Sequence, residues 1–176
     1  MKVTKMKKSK IQILLIDDCE TDINEIKVEL NNTMQAKFEL LHFKELTGSL
    51  DILRDNKIQV DVVLLDLGLV DKHTPQEIFT AVEKVVDNIP IIVITGKDEH
   101  ELALFVINRG ASDNMSRGDF ANTYGKLRDA ISFSLARCAI LKDLRKRGDD
   151  AIYLKNHLMT YVMGDCSQNE EPGTKK

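Results

Sequence analysis

Two adjacent carboxylates, Asp17 and Asp18, follow the apolar run 11–16. A second run, 60–65, ends in Asp66, and a third, 89–94, ends in Thr95. Hydrophobic strands that each stop on a small acidic or hydroxyl residue bring those side chains to one edge of a sheet. In open α/β sheets ligands sit at that edge, beyond the strand C-termini. Three carboxylates and a hydroxyl converging there suit a magnesium ion and a phosphoryl group. Carboxylates are hard oxygen ligands, and a bound cation relieves the repulsion between them and an incoming dianion. Asp66 is the sharpest candidate, because a buried hydrophobic strand gains nothing by ending on an acid. Asp17 is less sharp, since an acid just before a helix also serves as a cap. Thr95 also suits a strand simply as a β-branched residue.

The elements that must position these residues alternate regularly. Apolar runs of strand length cover 11–16, 38–43, 60–65, 90–94 and 111–116, the second more polar and so nearer an edge. Between them the apolar spacing becomes helical. Asp22 could cap a helix to about Leu30 with Ile23, Ile26 and Leu30 on one face, and 46–53 is a short amphipathic helix. Thr74-Pro75 opens a helix with Ile78, Val82 and Val85 inward; Asp98 caps another that stops at Arg109-Gly110. Strict alternation predicts an α/β fold, a doubly wound five-stranded parallel sheet with helices on both faces.

Bulk properties narrow the class. The chain has 176 residues, 43% hydrophobic and 30% charged, enough for one core and an appendage. A net charge of −3 and a pI near 5.8 argue against nucleic-acid binding through bulk electrostatics. Cys19, Cys138 and Cys166 are odd in number without paired spacing, which predicts reduced thiols and a cytoplasmic protein. No apolar stretch approaches the roughly 20 residues of a membrane span. The lysine-rich segment 1–10 reads as a solvated tail rather than an anchor. His42, His73, His100 and His157 share no ligand spacing and read as surface residues, and Cys19 reads as a packing residue beside the site.

Four stretches carry a resemblance: LLIDD at 14–18, LLDLGLVD at 64–71, IIVITGKDE at 91–99 and GASDNMSRGD at 110–119. Together they resemble the signature motifs of response-regulator receiver domains of two-component systems (CheY-like), in order and at the right intervals over 11–137. The resemblance implies a flavodoxin-like strand order 2-1-3-4-5. It implies that Asp66 accepts a phosphoryl group from a sensor histidine kinase or phosphotransfer protein. It also implies a Mg²⁺ site made by Asp18, Asp66, the Gly68 carbonyl and, through water, Asp17. Thr95 would hydrogen-bond a phosphoryl oxygen, and Gly96 would leave room for the phosphate. The chain would then be no enzyme beyond its own phosphotransfer and autodephosphorylation.

Two departures from the family pattern stand out. Arg117 occupies the place of the lysine in GAxDYLxK; it keeps the charge but is planar and bulkier. Asn114 stands where a tyrosine or phenylalanine is usual, so the aromatic switch of the family has no ring here. Gly118 replaces the proline after that position, removing the usual reason for a cis peptide bond.

Beyond the receiver, 138–168 reads as a helical extension and 169–176 as a disordered tail. Leu127, Ile131, Ser134, Cys138 and Leu141 recur at spacings of three and four; Gly148 should break or end that helix, and Asp149 or Asp150 start another carrying Ile152, Leu158 and Val162. Such an apolar stripe must be buried on its own receiver, on a second copy in a homodimer, or on an unknown downstream protein. The extension is too short for a separate output domain. The reading is a stand-alone receiver that signals by protein contact, with a phosphorylation-independent pseudo-receiver as the alternative. A haloacid-dehalogenase-like phosphatase would need an aspartate where Gly68 stands, and the basic cluster 142–147 is a weak case for DNA binding.

Overall fold

The five apolar runs form β1 (Ile11–Ile16), β2 (Phe38–Phe43), β3 (Val62–Asp66), β4 (Ile91–Thr95) and β5 (Asp113–Ser116). All pair in parallel, in the order β2-β1-β3-β4-β5. The computed structural model describes residues 10–34, 37–55, 58–70, 73–96, 99–118 and 125–164, with side chains to residue 153. The helices are α1 (Glu20–Met34), α2 (Leu46–Asp55), α3 (Pro75–Glu83), α4 (His100–Asn108) and α5 (Lys126–Gly164). The expected Asp98 cap, Cys166, and the segments 1–9 and 169–176 lie outside the described residues.

Alternation along each strand sends successive side chains to opposite faces. Leu14, Ile16, Val63, Leu65 and Val93 pack on one face with Leu46, Leu50, Ile78, Phe79, Val82 and Val106 from α2, α3 and α4. Ile13, Leu15, Val62, Leu64, Ile92 and Ile94 pack on the other with Ile23, Ile26 and Leu30 of α1 and Leu127 and Ile131 of α5. The buried stretches 13–16, 62–65 and 91–94 of the three central strands are therefore apolar on both faces, whereas β2 at the edge is half-exposed along its length. Each fully buried aliphatic side chain contributes roughly 1.5–3 kcal/mol, so these two layers fix the sheet.

Local signals set the helix ends. Thr74 caps α3 with Pro75 at its start, and a reciprocal bond with Glu77 completes a capping box. Gly110, at φ +108°, turns the chain out of α4 and into the segment leading to β5. Three expectations need correction. Strands β3, β4 and β5 begin one or two residues later than the apolar runs, because Val60 and Ala111 pack as buried residues outside the ladder. Helix α1 begins at Glu20, so Asp22 lies inside its first turn rather than capping it. Helix α5 is continuous through Gly148 to Gly164. A single glycine costs only about 1 kcal/mol in a helix interior, and an Asp143–Arg147 pair one turn apart (2.7 Å) spans the preceding turn.

The chain divides into two compact units between Cys138 and Ala139. Within the first, α5 buries Leu127, Ala130, Ile131 and Ser134. Within the second, every described side chain, from Ala139 to Tyr153, is exposed.

Candidate functional site

Strand ends on one side of the sheet carry the acids. β1 runs directly into Asp17 and Asp18, and Asp66 is the last residue of β3, the neighbouring strand. Asp17 and Asp66 are fully buried, and Asp18 is half-buried. One carboxylate oxygen from each of the three lies within 4.8 Å of the others. Charges this close in a dry pocket repel, so the site favours protons or a cation. Burial, with the nearby Asp66 and Asp22 charges, pushes the Asp17 carboxyl up to about 7 against a bond from the Cys19 N–H. Burial raises Asp66 as well, opposed by Arg117 and the Gly68 N–H.

Hydrogen bonds occupy only part of each carboxylate. Asp17 Oδ1 accepts the Cys19 N–H at 2.8 Å, which turns the chain toward α1. Asp18 Oδ2 accepts the Val70 N–H at 2.9 Å, tying the end of β1 to the loop after β3. Asp66 Oδ1 accepts the Gly68 N–H at 3.0 Å and Arg117 Nη2 at 2.5 Å. Asp17 Oδ2 and Asp66 Oδ2 are buried and accept no hydrogen bond from the described residues. Such atoms are costly to leave unmatched. Two orphan carboxylate oxygens beside a third carboxylate form the donor set of a hard divalent cation such as Mg²⁺, and the residues present fit that ion.

Thr95 is the buried last residue of β4, and its carbonyl accepts the Arg117 N–H at 3.0 Å, fixing the start of the turn after β5. Arg117 thus arises at the same edge as the acids and spans two of them: its Nε lies 3.3 Å from Asp22 Oδ2 while Nη2 reaches Asp66. These carboxylates hold its guanidinium further up in pKa. At Gly68 an added Cβ would stand 2.2 Å from Arg117 Nη2, so a side chain there would displace the guanidinium.

Three features of the site were not anticipated. Asp22, expected as a helix cap, is an ion-pair partner of Arg117 instead. Beside Gly96, expected to leave open space, the Glu99 carboxylate accepts the Gly96 N–H at 2.7 Å. His42, expected at the surface, is half-buried on β2 with its ring Nε2 2.8 Å from the Asp17 carbonyl. Asn114 sits on β5 with a buried side-chain oxygen that accepts no hydrogen bond, and offers no aromatic ring.

No protein-family model matches the sequence, nor does any curated protein. Solved structures are similar to it. A response regulator receiver domain protein from Clostridium thermocellum matches at 26% identity and a TM-score of 0.62, over 74% of this chain and 98% of that one. A CheY-like receiver domain protein from Methanospirillum hungatei matches at 19% identity and 0.61, again over 74% and 98%. A receiver domain from Rhodospirillum rubrum matches at 21% identity and 0.57, over 71% and 94%. The sheet order is the one this resemblance implied. With five parallel strands in that order, helices on both faces and these neighbours, the chain has the fold of CheY-like response-regulator receiver domains.

Proposed function

We propose that the chain is a two-component receiver that accepts a phosphoryl group on Asp66 from a histidine kinase or phosphotransfer protein. The observation that carries this is Asp66 Oδ2, buried, without a hydrogen bond, and beside Asp17 and Asp18 at the sheet edge. A carboxylate oxygen in that state is available to a phosphorus atom. In the transfer an O–P bond forms at Asp66, the P–N bond of the donor phosphohistidine breaks, and its electron pair returns to the imidazole. Asp18, Asp66 and the Gly68 carbonyl, with Asp17 through water, would hold Mg²⁺. That ion would supply charge neutralisation for the phosphoryl oxygens. Thr95 and Arg117 would donate hydrogen bonds to the same oxygens, Arg117 doing the work of the family's lysine.

Output then goes through protein contact, with the exposed apolar residues Ile140, Leu141, Leu144 and Ile152 of α5 as the surface for a second copy or a downstream protein. The protein works in the cytoplasm and has no activity beyond its own phosphotransfer and autodephosphorylation. A second reading, a pseudo-receiver used without phosphorylation, is favoured by the Arg117–Asp66 ion pair, which neutralises the nucleophile. Intact mass decides between them. Incubation with phosphoramidate or acetyl phosphate and Mg²⁺ should add one phosphoryl unit, lost in Asp66→Asn. No adduct with any donor, or an adduct that survives Asp66→Asn, favours the pseudo-receiver.

A further inference from the structure

Arginine and carboxylate most often pair fork to fork, through two parallel N–H···O bonds. The pair at this site is different. Arg117 meets Asp66 through one nitrogen and one oxygen, Nη2 and Oδ1, at 2.5 Å. Asp66 Oδ2 is left without a hydrogen bond. Nε, on the same edge of the guanidinium as Nη2, lies 3.3 Å from Asp22 Oδ2, an ion pair without the alignment of a hydrogen bond. A guanidinium is a rigid plane of five donors, so a charge facing Nε limits how Nε and Nη2 can turn together onto one carboxylate.

We infer that Asp22 is a positioning residue: its charge draws Arg117 at Nε and so keeps Nε and Nη2 from closing together on both oxygens of Asp66. The inference rests on the reading of Asp66 as the phosphoacceptor and adds how that residue is kept open. Asp22 is well placed for this. It lies in the first turn of α1, where the helix dipole favours a negative charge, and its side chain is only 13% exposed. Its own helix is anchored by Ile23 and Ile26, both fully buried, so the carboxylate is held by a rigid element. Gly68 opens the path that Nη2 takes to Asp66, and Arg117 itself is anchored through its N–H on Thr95. Without Asp22 the guanidinium is free to rotate and take the bidentate arrangement, which would engage Oδ2 and withdraw it from phosphorus. A lysine has no neighbouring donor to draw aside and no fork to close, so an acid at position 22 matters specifically because position 117 is arginine.

The test is a double-mutant cycle on the full chain: wild type, Asp22→Ala, Arg117→Lys and the double variant. Each is timed for phosphoryl uptake from phosphoramidate with saturating Mg²⁺. On the arginine background Asp22→Ala should slow uptake about tenfold, and on the lysine background less than about twofold. Equal slowing on both backgrounds would show that Asp22 acts through general charge or folding, and would overturn the inference. So would no slowing on either. Asp22→Asn, which keeps the shape and an acceptor oxygen, should lie between wild type and Asp22→Ala, and serves if the alanine variant folds poorly. The ion pair has its own readout, the Arg117 Nε–H resonance by nuclear magnetic resonance, which should shift in Asp22→Ala when the facing charge is removed. Wild type that takes up no phosphoryl group would sink the phosphoacceptor reading. An Nε–H unaffected by Asp22→Ala would sink the positioning by the ion pair alone.

Discussion

The carboxylate of Glu29, on α1, accepts the backbone N–H of Leu127 at the start of α5, at 2.9 Å. An acid from one helix thus caps the N-terminus of another, although the two are 98 positions apart. Glu29 is a charged residue only 6% exposed, and its second oxygen is buried without a hydrogen bond. Burial raises its pKa, against the pull of the Leu127 and Arg128 N–H groups and the Arg128 charge, with Asp129 adding a smaller push upward.

That balance sets a pH dependence. A carboxyl raised in the folded state binds protons more tightly there than in the unfolded chain, so folding loses stability as pH rises from the ordinary carboxylate value through the raised one. Glu29→Gln keeps an acceptor and removes the charge. Urea melts at several pH values should show a shallower fall for this variant than for wild type. Glu29→Leu removes the cap as well and should cost about 0.5–2 kcal/mol at any pH. A parallel fall in wild type and Glu29→Gln would mean that Glu29 is not the titrating group.

Crowded acids predict a response to cations. Binding only to the folded state stabilises by mass action, about 1.4 kcal/mol at tenfold excess over Kd. For a chain of this size that is a rise in Tm of roughly 3–6 °C. Scanning calorimetry with and without millimolar Mg²⁺ should show the rise, and Asp18→Asn should blunt it. Superimposable melts would count against a cation among Asp17, Asp18 and Asp66.

Gly148 offers a stability test. It lies inside α5, and an added Cβ would meet nothing within 4 Å. Gly148→Ala should therefore stabilise the helix by about 0.5–1 kcal/mol. Thermal melting followed by far-ultraviolet circular dichroism would register this as higher helicity at a given temperature. Lower helicity would mean that the backbone at 148 departs from helix in solution.

The last expectation concerns output. Asn114 provides no ring to report the state of Asp66, so the Thr95 loop, α4 and α5 are left to carry the change. Coupling between phosphorylation and association is usually 1–3 kcal/mol, or about 5–150-fold in affinity. Beryllofluoride, which stands in for a phosphoryl group, should shift the oligomeric state or partner affinity of the full chain in sedimentation. A chain ending near Arg137 should lose most of that shift and keep phosphorylation at Asp66. An undiminished response in the shorter chain would remove α5 from the output.

Much of this architecture was legible in the sequence because burial on both faces leaves a plain mark. Apolar runs at 11–16 and 60–65 had to be central strands, and Asp66 at the end of one had to be an exception to packing. Thr74-Pro75 announced α3 because a cap and a pre-set φ act locally. What escaped were relations between distant residues. Nothing near Asp22 indicates that its partner is Arg117, and nothing near Glu29 points to Leu127. His42 sits on a half-polar edge strand, where a surface reading and a hydrogen-bonded one look alike. Gly148 does not end α5, because a breaker's cost of about 1 kcal/mol is easily outweighed by the helix on either side.

Arginine at position 117 also bears on how the site could be switched off. Lysine can lose its charge to acetylation, an enzymatic modification that would strip a receiver of the cation facing its phosphoacceptor. A guanidinium is closed to that chemistry, and with carboxylates on two sides it stays protonated throughout the physiological range. The positive charge beside Asp66 is therefore out of reach of both acetylation and physiological pH: within those limits it can be moved, but not erased.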